Sequence, residues 1–284
     1  MNKRGKVILV TGASSGFGMH ICVELAALGH KVYATMRHTG RSSDLLALAR
    51  YRKCEKNIKL LTLDVTKPES IRAAVITVVE QDGVIDVLVN NAGFGLGGFF
   101  EDVTTEDFRA QFDVNFFGVL NVTREVLPLM RPRRSGQIIN ISSMSAFSGT
   151  PCFSAYCSSK WALEGFSECL FMELAPLGIK VSLVEPGSYR TRIFESNARY
   201  GSNFNNPRSP YFESSMRLKE LVAKHIQTNT RDPREVALAV VDIVASSAPA
   251  LRHLIGWHQK MRLACYRLIP FEWYAWLVNK ALGR

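Results

Sequence analysis

The chain has 284 residues, of which 47% are hydrophobic, so it carries enough apolar side chains for a sizeable core. Its 35 Lys and Arg residues exceed its 25 Asp and Glu residues, which gives a formal net charge of +10. That charge suits nucleic acid, anionic lipid or a phosphate-rich ligand, but no zinc-finger, homeodomain or RNP-like pattern accompanies it. We therefore expect no nucleic-acid partner and interpret most basic residues as a solvated surface.

Cysteine spacing and the N-terminal sequence indicate the compartment. The six cysteines form no CxxC pair and no His/Cys metal spacing, which predicts free thiols in a reducing compartment and no bound metal. The apolar run at residues 7–10 is too short for a secretory signal, and no apolar run reaches the roughly 18 residues of a membrane span. We expect a cytoplasmic protein that is soluble or, at most, attached to a membrane surface.

Short β-branched runs alternate along the chain with longer helical patterns. The predicted strands are residues 6–10, 31–36, 58–64, 85–90, 137–142 and 179–185. Each but the last is followed by a predicted helix, and the strands are apolar on both faces. This pattern predicts an α/β fold in which helices cover both faces of a parallel sheet.

Two predicted helices begin with capping signals. Thr66 opens a capping box with Glu69, with Pro68 inside the first turn. Thr104 and Asp107 form a weaker version of the same motif.

The domain organisation follows from what the sequence lacks. There is no internal repeat and no Pro/Gly/Ser linker, which predicts a single domain over residues 1–284. Within it, residues 188–228 are polar but carry large apolar side chains such as Phe194 and Phe204. We expect this segment to be an insertion that forms a lid over an apolar substrate.

The sequence TGASSGFG, residues 11–18, lies between the first predicted strand and the first predicted helix. Glycines there let the backbone turn tightly and approach a pyrophosphate, while the helix N-terminus offers N–H groups and a positive dipole end. The motif therefore predicts a dinucleotide-binding loop. Residues 12–16 also satisfy GxSxG, the nucleophile elbow of hydrolases, with Ser14 as the nucleophile. Only ten residues precede the loop, too few for the strands that such an elbow needs, so the dinucleotide is favoured.

The end of the second predicted strand indicates which dinucleotide is bound. An acidic residue there would hold the ribose hydroxyls of NAD, whereas an arginine favours the 2′-phosphate of NADP. The chain has Met36 followed by Arg37 and no acid. Arg37 is thus the expected phosphate ligand, with help from Ser15 and with Arg41 as a second cation. The alternative is that Arg37 merely ends a strand at the surface.

Tyr156 and Lys160 lie one helical turn apart in the sequence SAYCSSK. A phenol can protonate the oxygen of a carbonyl that is being reduced by hydride, but its ordinary pKa of about 10 makes it a poor base for the reverse reaction. An ammonium about 4 Å away stabilises a phenolate by about 4 kcal/mol at an effective dielectric constant of about 20. We therefore expect Lys160 to lower the pKa of Tyr156 toward about 7. By itself, a YxxxK pair is also common in surface and core sequences.

Two more polar residues support a catalytic role for this pair. Ser143 follows a predicted strand thirteen residues before Tyr156 and can donate a hydrogen bond to the same substrate oxygen. Asn115 is expected inside a helix, an unfavourable place for asparagine, where it would relay a proton through water or hold Lys160.

In order and spacing, these motifs resemble the short-chain dehydrogenase/reductase family over about residues 5–191. The resemblance rests on segments 11–18, 90–93, 156–160 and 186–187, together with Asn115 and Ser143. Residues 31–37 and 156–170 are most similar to the 17β-hydroxysteroid dehydrogenase and retinol dehydrogenase branch, and to bacterial oxidoreductases of unassigned substrate.

The resemblance implies a Rossmann-type, doubly wound sheet of about seven parallel strands, and a set of site residues. The implied catalytic tetrad is Asn115, Ser143, Tyr156 and Lys160. The expected cofactor-binding residues are Gly12, Ser14, Ser15, Gly16, Phe17, Gly18, Arg37, Asp64, Val65, Asn91, Ala92, Gly93, Tyr156, Lys160, Pro186, Gly187, Tyr189 and Thr191. The residues expected to contact substrate are Phe94, Ser143, Met144, Phe147, Phe153 and Tyr156.

The function predicted from these motifs is an NADP(H)-dependent alcohol dehydrogenase or carbonyl reductase for a bulky apolar substrate, such as a steroid, a retinoid or a lipid. The same chemistry with NAD(H) on a small carbonyl is one alternative. A dinucleotide-binding regulator without turnover is another.

Two apolar segments predict partners. The helix that contains Tyr156 and the one over residues 112–120 are apolar on every side, and with the family resemblance this predicts a homodimer through both helices. Residues 257–284 form an amphipathic segment with Trp273 and Trp276. It closes the substrate cleft in one interpretation and also rests on an anionic membrane surface in the other.

Overall fold

The computed structural model describes residues 5–189, 198–228 and 231–281. Within them the chain forms nine strands. They are β1 (Val7–Val10), β2 (Lys31–Met36), β3 (Ile58–Thr62), β4 (Val87–Asn90), β5 (Leu96–Gly97), β6 (Gly136–Ile141), β7 (Ile179–Glu185), β8 (Arg199–Tyr200) and β9 (Arg252–Leu254). Two predicted positions, Thr191 and Phe194, lie outside the described residues.

Seven of these strands form one parallel sheet in the order β3-β2-β1-β4-β6-β7-β9. The order reverses between β1 and β4, which is the point where doubly wound sheets open a ligand crevice at the carboxyl ends of their strands. β5 and β8 form a separate parallel pair. The sheet confirms the predicted α/β, Rossmann-type fold.

Helices cover both faces of the sheet. They are α1 (Gly16–Ala27), α2 (Ser43–Tyr51), α3 (Pro68–Asp82), α4 (Thr105–Phe112), α5 (Gly118–Met130), α6 (Ser154–Leu174), α7 (Phe212–Thr228), α8 (Arg234–Ala245), α9 (Trp257–Leu268) and α10 (Phe271–Ala281). One apolar core joins the sheet to α1, α2 and α8, and a second joins the opposite face to α3, α5 and α6. The central strands β1 and β4 are buried along their whole length, which explains their mostly apolar sequences, whereas the edge strand β3 is only partly buried.

The sequence missed one strand of the sheet and misplaced one helix cap. β9 has only three half-buried residues, Arg252 to Leu254, and no β-branched side chain, so no strand pattern marked it. The predicted capping box at Thr66 is wrong, because α3 begins after Lys67 and Thr66 instead donates to Asp64. The box at Thr104 is confirmed, since its side chain and that of Asp107 each accept a backbone N–H.

Candidate active site

A cleft of about 470 Å³ lies at the carboxyl ends of the central strands, between the loops that follow β1, β2, β3, β4, β6 and β7. Predicted site residues from all six loops and from α6 line it. They are Gly12, Ser14, Ser15, Gly16, Phe17, Arg37, Asp64, Val65, Asn91, Ala92, Gly93, Phe94, Asn115, Ser143, Tyr156, Lys160, Pro186, Gly187 and Tyr189. The fold therefore brings distant sequence motifs to one cavity.

A few predicted residues do not line this cleft. Gly18 instead lets α1 approach the glycine loop, because a Cβ there would lie 2.4 Å from Nδ2 of Asn91. Met144 and Phe147 line a second cavity of about 160 Å³ beside α9 and α10, and Phe153 lines a third beside Phe204.

The glycine loop takes a shape that fits a pyrophosphate. Gly12 and Gly16 have φ angles of +69° and +56°, which side-chain-bearing residues rarely adopt. A Cβ on Gly12 would also lie 2.7 Å from Cα of Ala92, so the backbones of the two loops touch. The N-terminus of α1 follows directly, where the first helical N–H groups point away from the helix.

Thr11 and Asn91 join the glycine loop to the loop after β4. The Thr11 hydroxyl accepts hydrogen bonds of 3.0 Å from the backbone N–H groups of Asn91 and Ala92. The Asn91 side chain donates to the carbonyl oxygens of Thr11 and Gly12 at 2.9 and 3.0 Å. Asn91 thus fixes the backbone of the glycine loop at Thr11 and Gly12. A hydrolase would need a histidine as the base for Ser14. In the described part of the chain no histidine hydrogen-bonds to Ser14, so the structure does not support the nucleophile-elbow interpretation of GxSxG.

At the other end of the cleft, β2 finishes with a buried Met36, and the exposed side chains of Arg37 and Arg41 follow. Asp64 lines the same cleft, and its carboxylate accepts hydrogen bonds from the N–H and hydroxyl of Thr66. Burial raises the pKa of Asp64, but these hydrogen bonds and the charge of Arg37 outweigh it and lower the pKa overall. Two cations therefore face the position where an NAD-binding site would offer an acid.

Tyr156, Ser143 and Lys160 meet in the middle of the cleft. Ser143 and Tyr156 line the same cavity, and Nζ of Lys160 lies 5.9 Å from the centre of the Tyr156 ring. The Lys160 ammonium donates a 2.8 Å hydrogen bond to the carbonyl oxygen of Ile141, two residues before Ser143. The helix α6 and the end of β6 are thereby fixed to each other.

The predicted fall in the pKa of Tyr156 is not observed. Burial raises the pKa of this phenol to about 12, although the neighbouring Ser143 hydroxyl opposes the rise. Burial also lowers the pKa of Lys160 to about 8, against the charge of Glu164. The expectation was wrong because it counted the attraction between the two charges and neglected the cost of removing both from water. A protonated Tyr156 suits a proton donor.

Asn115 lies in a π-helical turn, Asp113–Phe117, between α4 and α5. Its side chain is almost fully buried and hydrogen-bonds to the backbone of Phe94 and to the hydroxyl of Ser159. The amide therefore holds the loop after β4, whereas the Lys160 ammonium is held by Ile141, contrary to one of the two roles expected for Asn115. The π turn explains how a poor helix former occupies this place.

Arg199 is a cleft residue that the sequence did not indicate. Its guanidinium carbon lies 4.2 Å from the centre of the Phe94 ring, and both side chains line the cleft. It belongs to β8, which pairs with β5 beside the site. The sequence signal was absent because β8 has only two residues inside a polar segment.

Comparison with known proteins gives consistent matches. Residues 6–200 match the family model described as short chain dehydrogenase. The Bacillus subtilis protein "Uncharacterized oxidoreductase YusZ" is 41% identical over 277 residues, which cover 97% of this chain and 96% of that protein. A "3-ketodihydrosphingosine reductase" of Bacteroides thetaiotaomicron is 38% identical, over 88% of each chain.

A solved structure agrees with these relatives. A short-chain dehydrogenase from Streptomyces avermitilis has 38% sequence identity and a TM-score of 0.79, over 92% of both chains. The family match covers the cleft-lining segments from the glycine loop to Arg199. On these grounds, the chain belongs to the short-chain dehydrogenase/reductase family of oxidoreductases.

Proposed function

We propose that this protein is an NADP(H)-dependent oxidoreductase that interconverts a bulky apolar alcohol and its ketone or aldehyde. The observation that carries the proposal is that Ser143, Tyr156 and a buried Lys160 line one cleft, which begins at the glycine loop. Bound NADP(H) would supply or accept the hydride. The glycine loop would hold its pyrophosphate, and Arg37 and Arg41 its 2′-phosphate.

In the direction of reduction, the Tyr156 hydroxyl gives its proton to the substrate oxygen while the hydride reaches the carbonyl carbon. Ser143 donates a hydrogen bond to the same oxygen and stabilises the negative charge that develops there. The Lys160 ammonium stabilises the phenolate that remains on Tyr156. In oxidation, the same groups act in reverse.

The surroundings of the cleft favour an apolar substrate. Met144, which directly follows Ser143, lines the neighbouring cavity with Phe147 and with Leu263, Tyr266 and Ile269 of the C-terminal helices. Residues from the predicted lid pack on a further apolar cluster, where the rings of Phe99 and Tyr211 stack 4.9 Å apart. The relative named as a 3-ketodihydrosphingosine reductase suggests a sphingoid or similar long-chain ketone as the first substrate to try.

The C-terminal helices suit both predicted roles of this segment. α9 packs on the turn after β7, where a Cβ on Gly187 would lie 2.1 Å from Nε2 of Gln259. Tyr274 of α10 faces the loop before α6, where its hydroxyl donates a 3.3 Å hydrogen bond to the carbonyl oxygen of Gly149. We propose that the two helices close the substrate side of the cleft.

The outer stripe of α10 is a proposed contact with an anionic membrane surface. It exposes Trp273, Trp276 and Leu277, and Nζ of Lys280 lies 4.8 Å from the centre of the Trp276 ring. Aromatic side chains beside a cation suit the interface between acidic headgroups and acyl chains. Among the described residues no helix is long and apolar enough to cross a membrane. The proposed contact is peripheral.

Steady-state oxidation of NADPH with a panel of long-chain and small carbonyls tests the proposed function. Wild-type protein should reduce long-chain ketones faster than small ones. Tyr156→Phe should lower kcat by a factor of about 10² or more while leaving NADPH affinity nearly unchanged, and Lys160→Ala should lower both. Tyr33→Phe is the matched control, since Tyr33 is also buried but bonds Asp82 and Gln81 away from the cleft. Turnover by Tyr156→Phe within tenfold of wild type would refute the assignment.

The two alternatives predict other outcomes. A small-carbonyl NAD(H) enzyme would prefer NADH and short substrates, and a regulator without turnover would bind the cofactor but oxidise none of it with any carbonyl in the panel.

A further inference from the structure

Arg252 of β9 connects three carboxylates behind the active-site helix. Its Nη2 lies 2.9 Å from Glu164, its Nη1 lies 2.8 Å from Glu168, and its Nε lies 3.3 Å from Glu185. The Glu164 and Glu185 side chains are 7% and 0% exposed, whereas that of Glu168 is 51% exposed. One guanidinium, itself 30% exposed, thus contacts both α6 and the end of β7.

Glu164 also reaches the catalytic side of the cluster. It stands four residues after Lys160 on α6, a spacing that puts both side chains on one helix face. Its second carboxylate oxygen accepts a hydrogen bond from the Ser142 hydroxyl. Ser142 lies between Ile141, whose carbonyl accepts from Lys160, and the catalytic Ser143. Glu164 is therefore fixed to the strand end that holds Lys160.

The charges around Lys160 explain what such a carboxylate would do. The Lys160 ammonium is buried, and burial lowers its pKa to about 8. Among the described residues, Glu164 is the only carboxylate whose charge opposes this fall. The Tyr156 ring lies 5.9 Å from Nζ of Lys160, and burial raises the pKa of its phenol.

The remaining members of the cluster complete the charge balance. Burial, and then the Glu164 charge, raise the pKa of Glu185 to about 8, although Arg252 and Arg267 oppose the rise. Burial raises the pKa of Glu164 too, but the Ser142 hydrogen bond and the charges of Arg252 and Lys160 oppose the rise. In their ionised forms, Glu164 and Glu168 balance the charges of Lys160 and Arg252. Glu164 is the member of this set that is both buried and on the same helix face as Lys160.

We propose that Glu164 is a positioning residue for Lys160, whose carboxylate, fixed by Arg252 and Ser142, keeps the lysine an ammonium at its buried place beside Tyr156. The inference rests on the proposed catalytic role of Lys160. It adds that the charge state of this lysine depends on Glu164 and its partner Arg252, which lie outside the cleft.

The test compares Glu164→Gln with Glu168→Gln in the full-length protein. Glutamine keeps the size of the side chain and can still accept from Ser142, but it removes the charge. Glu168 is the matched control, because it contacts the same guanidinium, lies one turn further along α6 and is exposed. Thermal unfolding of both variants checks that each one folds.

Titration of the Lys160 side chain by nitrogen-15 NMR gives a readout that does not depend on turnover. In Glu164→Gln the midpoint should fall by about one pH unit, a tenfold change in the proton-binding constant, whereas Glu168→Gln should leave it within about 0.3 unit. Glu164→Asp, which restores the charge, should recover most of the shift. Equal midpoints in wild type and Glu164→Gln would overturn the proposal.

The pH profile of kcat in the direction of reduction gives the second readout. Reduction needs a charged Lys160, so the alkaline limb should move to lower pH in Glu164→Gln and stay in place in Glu168→Gln. A uniform loss of kcat at every pH, with no movement of the limb, would show a purely structural role and contradict the proposal. If the wild type turned over no substrate while the NMR midpoint still shifted, the proposed function would fail and the role of Glu164 would stand.

Discussion

The side-chain amide of Asn115 pairs with the backbone of Phe94 as a neighbouring strand would. Its Oδ1 accepts from the Phe94 N–H at 3.1 Å, and its Nδ2 donates to the Phe94 carbonyl oxygen at 3.0 Å. Phe94 ends the loop after β4, which lines the cleft from Asn91 onward. A polar side chain in a buried π-helical turn therefore shapes the cofactor side of the active site.

Asn115→Leu should disorder this loop. It leaves the buried N–H of Phe94 without its partner, at a cost of about 1–3 kcal/mol, whereas the Phe94 carbonyl oxygen keeps the hydrogen bond from Gln111. We expect a lower Tm, NADPH affinity reduced by a factor of about ten, and a fall in kcat. Gln111→Leu is the control, because Gln111 also bonds Phe94 and, in addition, Leu96, but its side chain does not line the cleft. The contrary result is that the two variants lose the same stability and have the same NADPH affinity, and differ in turnover alone. Asn115 would then not act through the loop.

Met36→Asp should move cofactor preference from NADPH toward NADH. A carboxylate at the end of β2 repels a 2′-phosphate and accepts the two ribose hydroxyls instead. Arg37→Ala should weaken NADPH binding and leave NADH binding unchanged, because it removes a charge-assisted contact to the phosphate alone. The ratio of kcat/KM for the two cofactors measures both effects. A ratio that moves in neither variant would place the phosphate site elsewhere.

Glu185→Gln should change how stability depends on pH. The pKa of Glu185 is raised from its usual 4.5 to about 8, so the folded state holds a proton that the unfolded chain releases. This contribution is complete below pH 4.5 and is lost as the pH rises through about 8. Glutamine cannot ionise, so the Tm of Glu185→Gln relative to wild type should increase by several degrees between pH 6 and pH 9. Parallel Tm curves for the two proteins would contradict a protonated Glu185.

The outer faces of α5 and α6 should form a homodimer. The side chains of Trp161 and Met172 on α6 are exposed, and so is Phe117 at the start of α5. Sedimentation velocity at micromolar concentration should show a dimer, and Phe117→Glu combined with Met172→Glu should convert it to a monomer. Tyr51→Glu, at an exposed site on α2, should leave the dimer intact. A wild-type protein that sediments only as a monomer would refute this interface.

The stripe on α10 should bind acidic vesicles. Wild-type protein should sediment with vesicles that contain phosphatidylserine at low salt, and high salt should release it because the attraction is partly electrostatic. Trp273→Glu with Trp276→Glu should abolish sedimentation, while Tyr51→Glu should not. Deleting residues 271–284 should impair use of long-chain substrates more than NADPH binding. Wild-type protein that remains in the supernatant would leave α10 as a cover for the cleft alone.

The sequence determined the parts of this protein that depend on local pattern. Short runs rich in apolar and β-branched residues marked six of the seven sheet strands. The glycines of residues 11–18 likewise indicated a loop with positive φ angles, because few other residues adopt them. The pairing of Tyr156 with Lys160 could also be predicted without the structure, because residues four positions apart in a helix lie on the same face.

Only the tertiary structure decided the electrostatics and the pairings between distant residues. The pKa of Tyr156 depends on how much water surrounds its hydroxyl, which no spacing reveals, and the structure reversed the expected direction. The cluster of Arg252 with Glu164 and Glu185 joins β9 to α6 and β7, which lie far from it in the chain. Each of these residues is an ordinary charge when considered alone, and it acquires a role because the fold buries it beside the others.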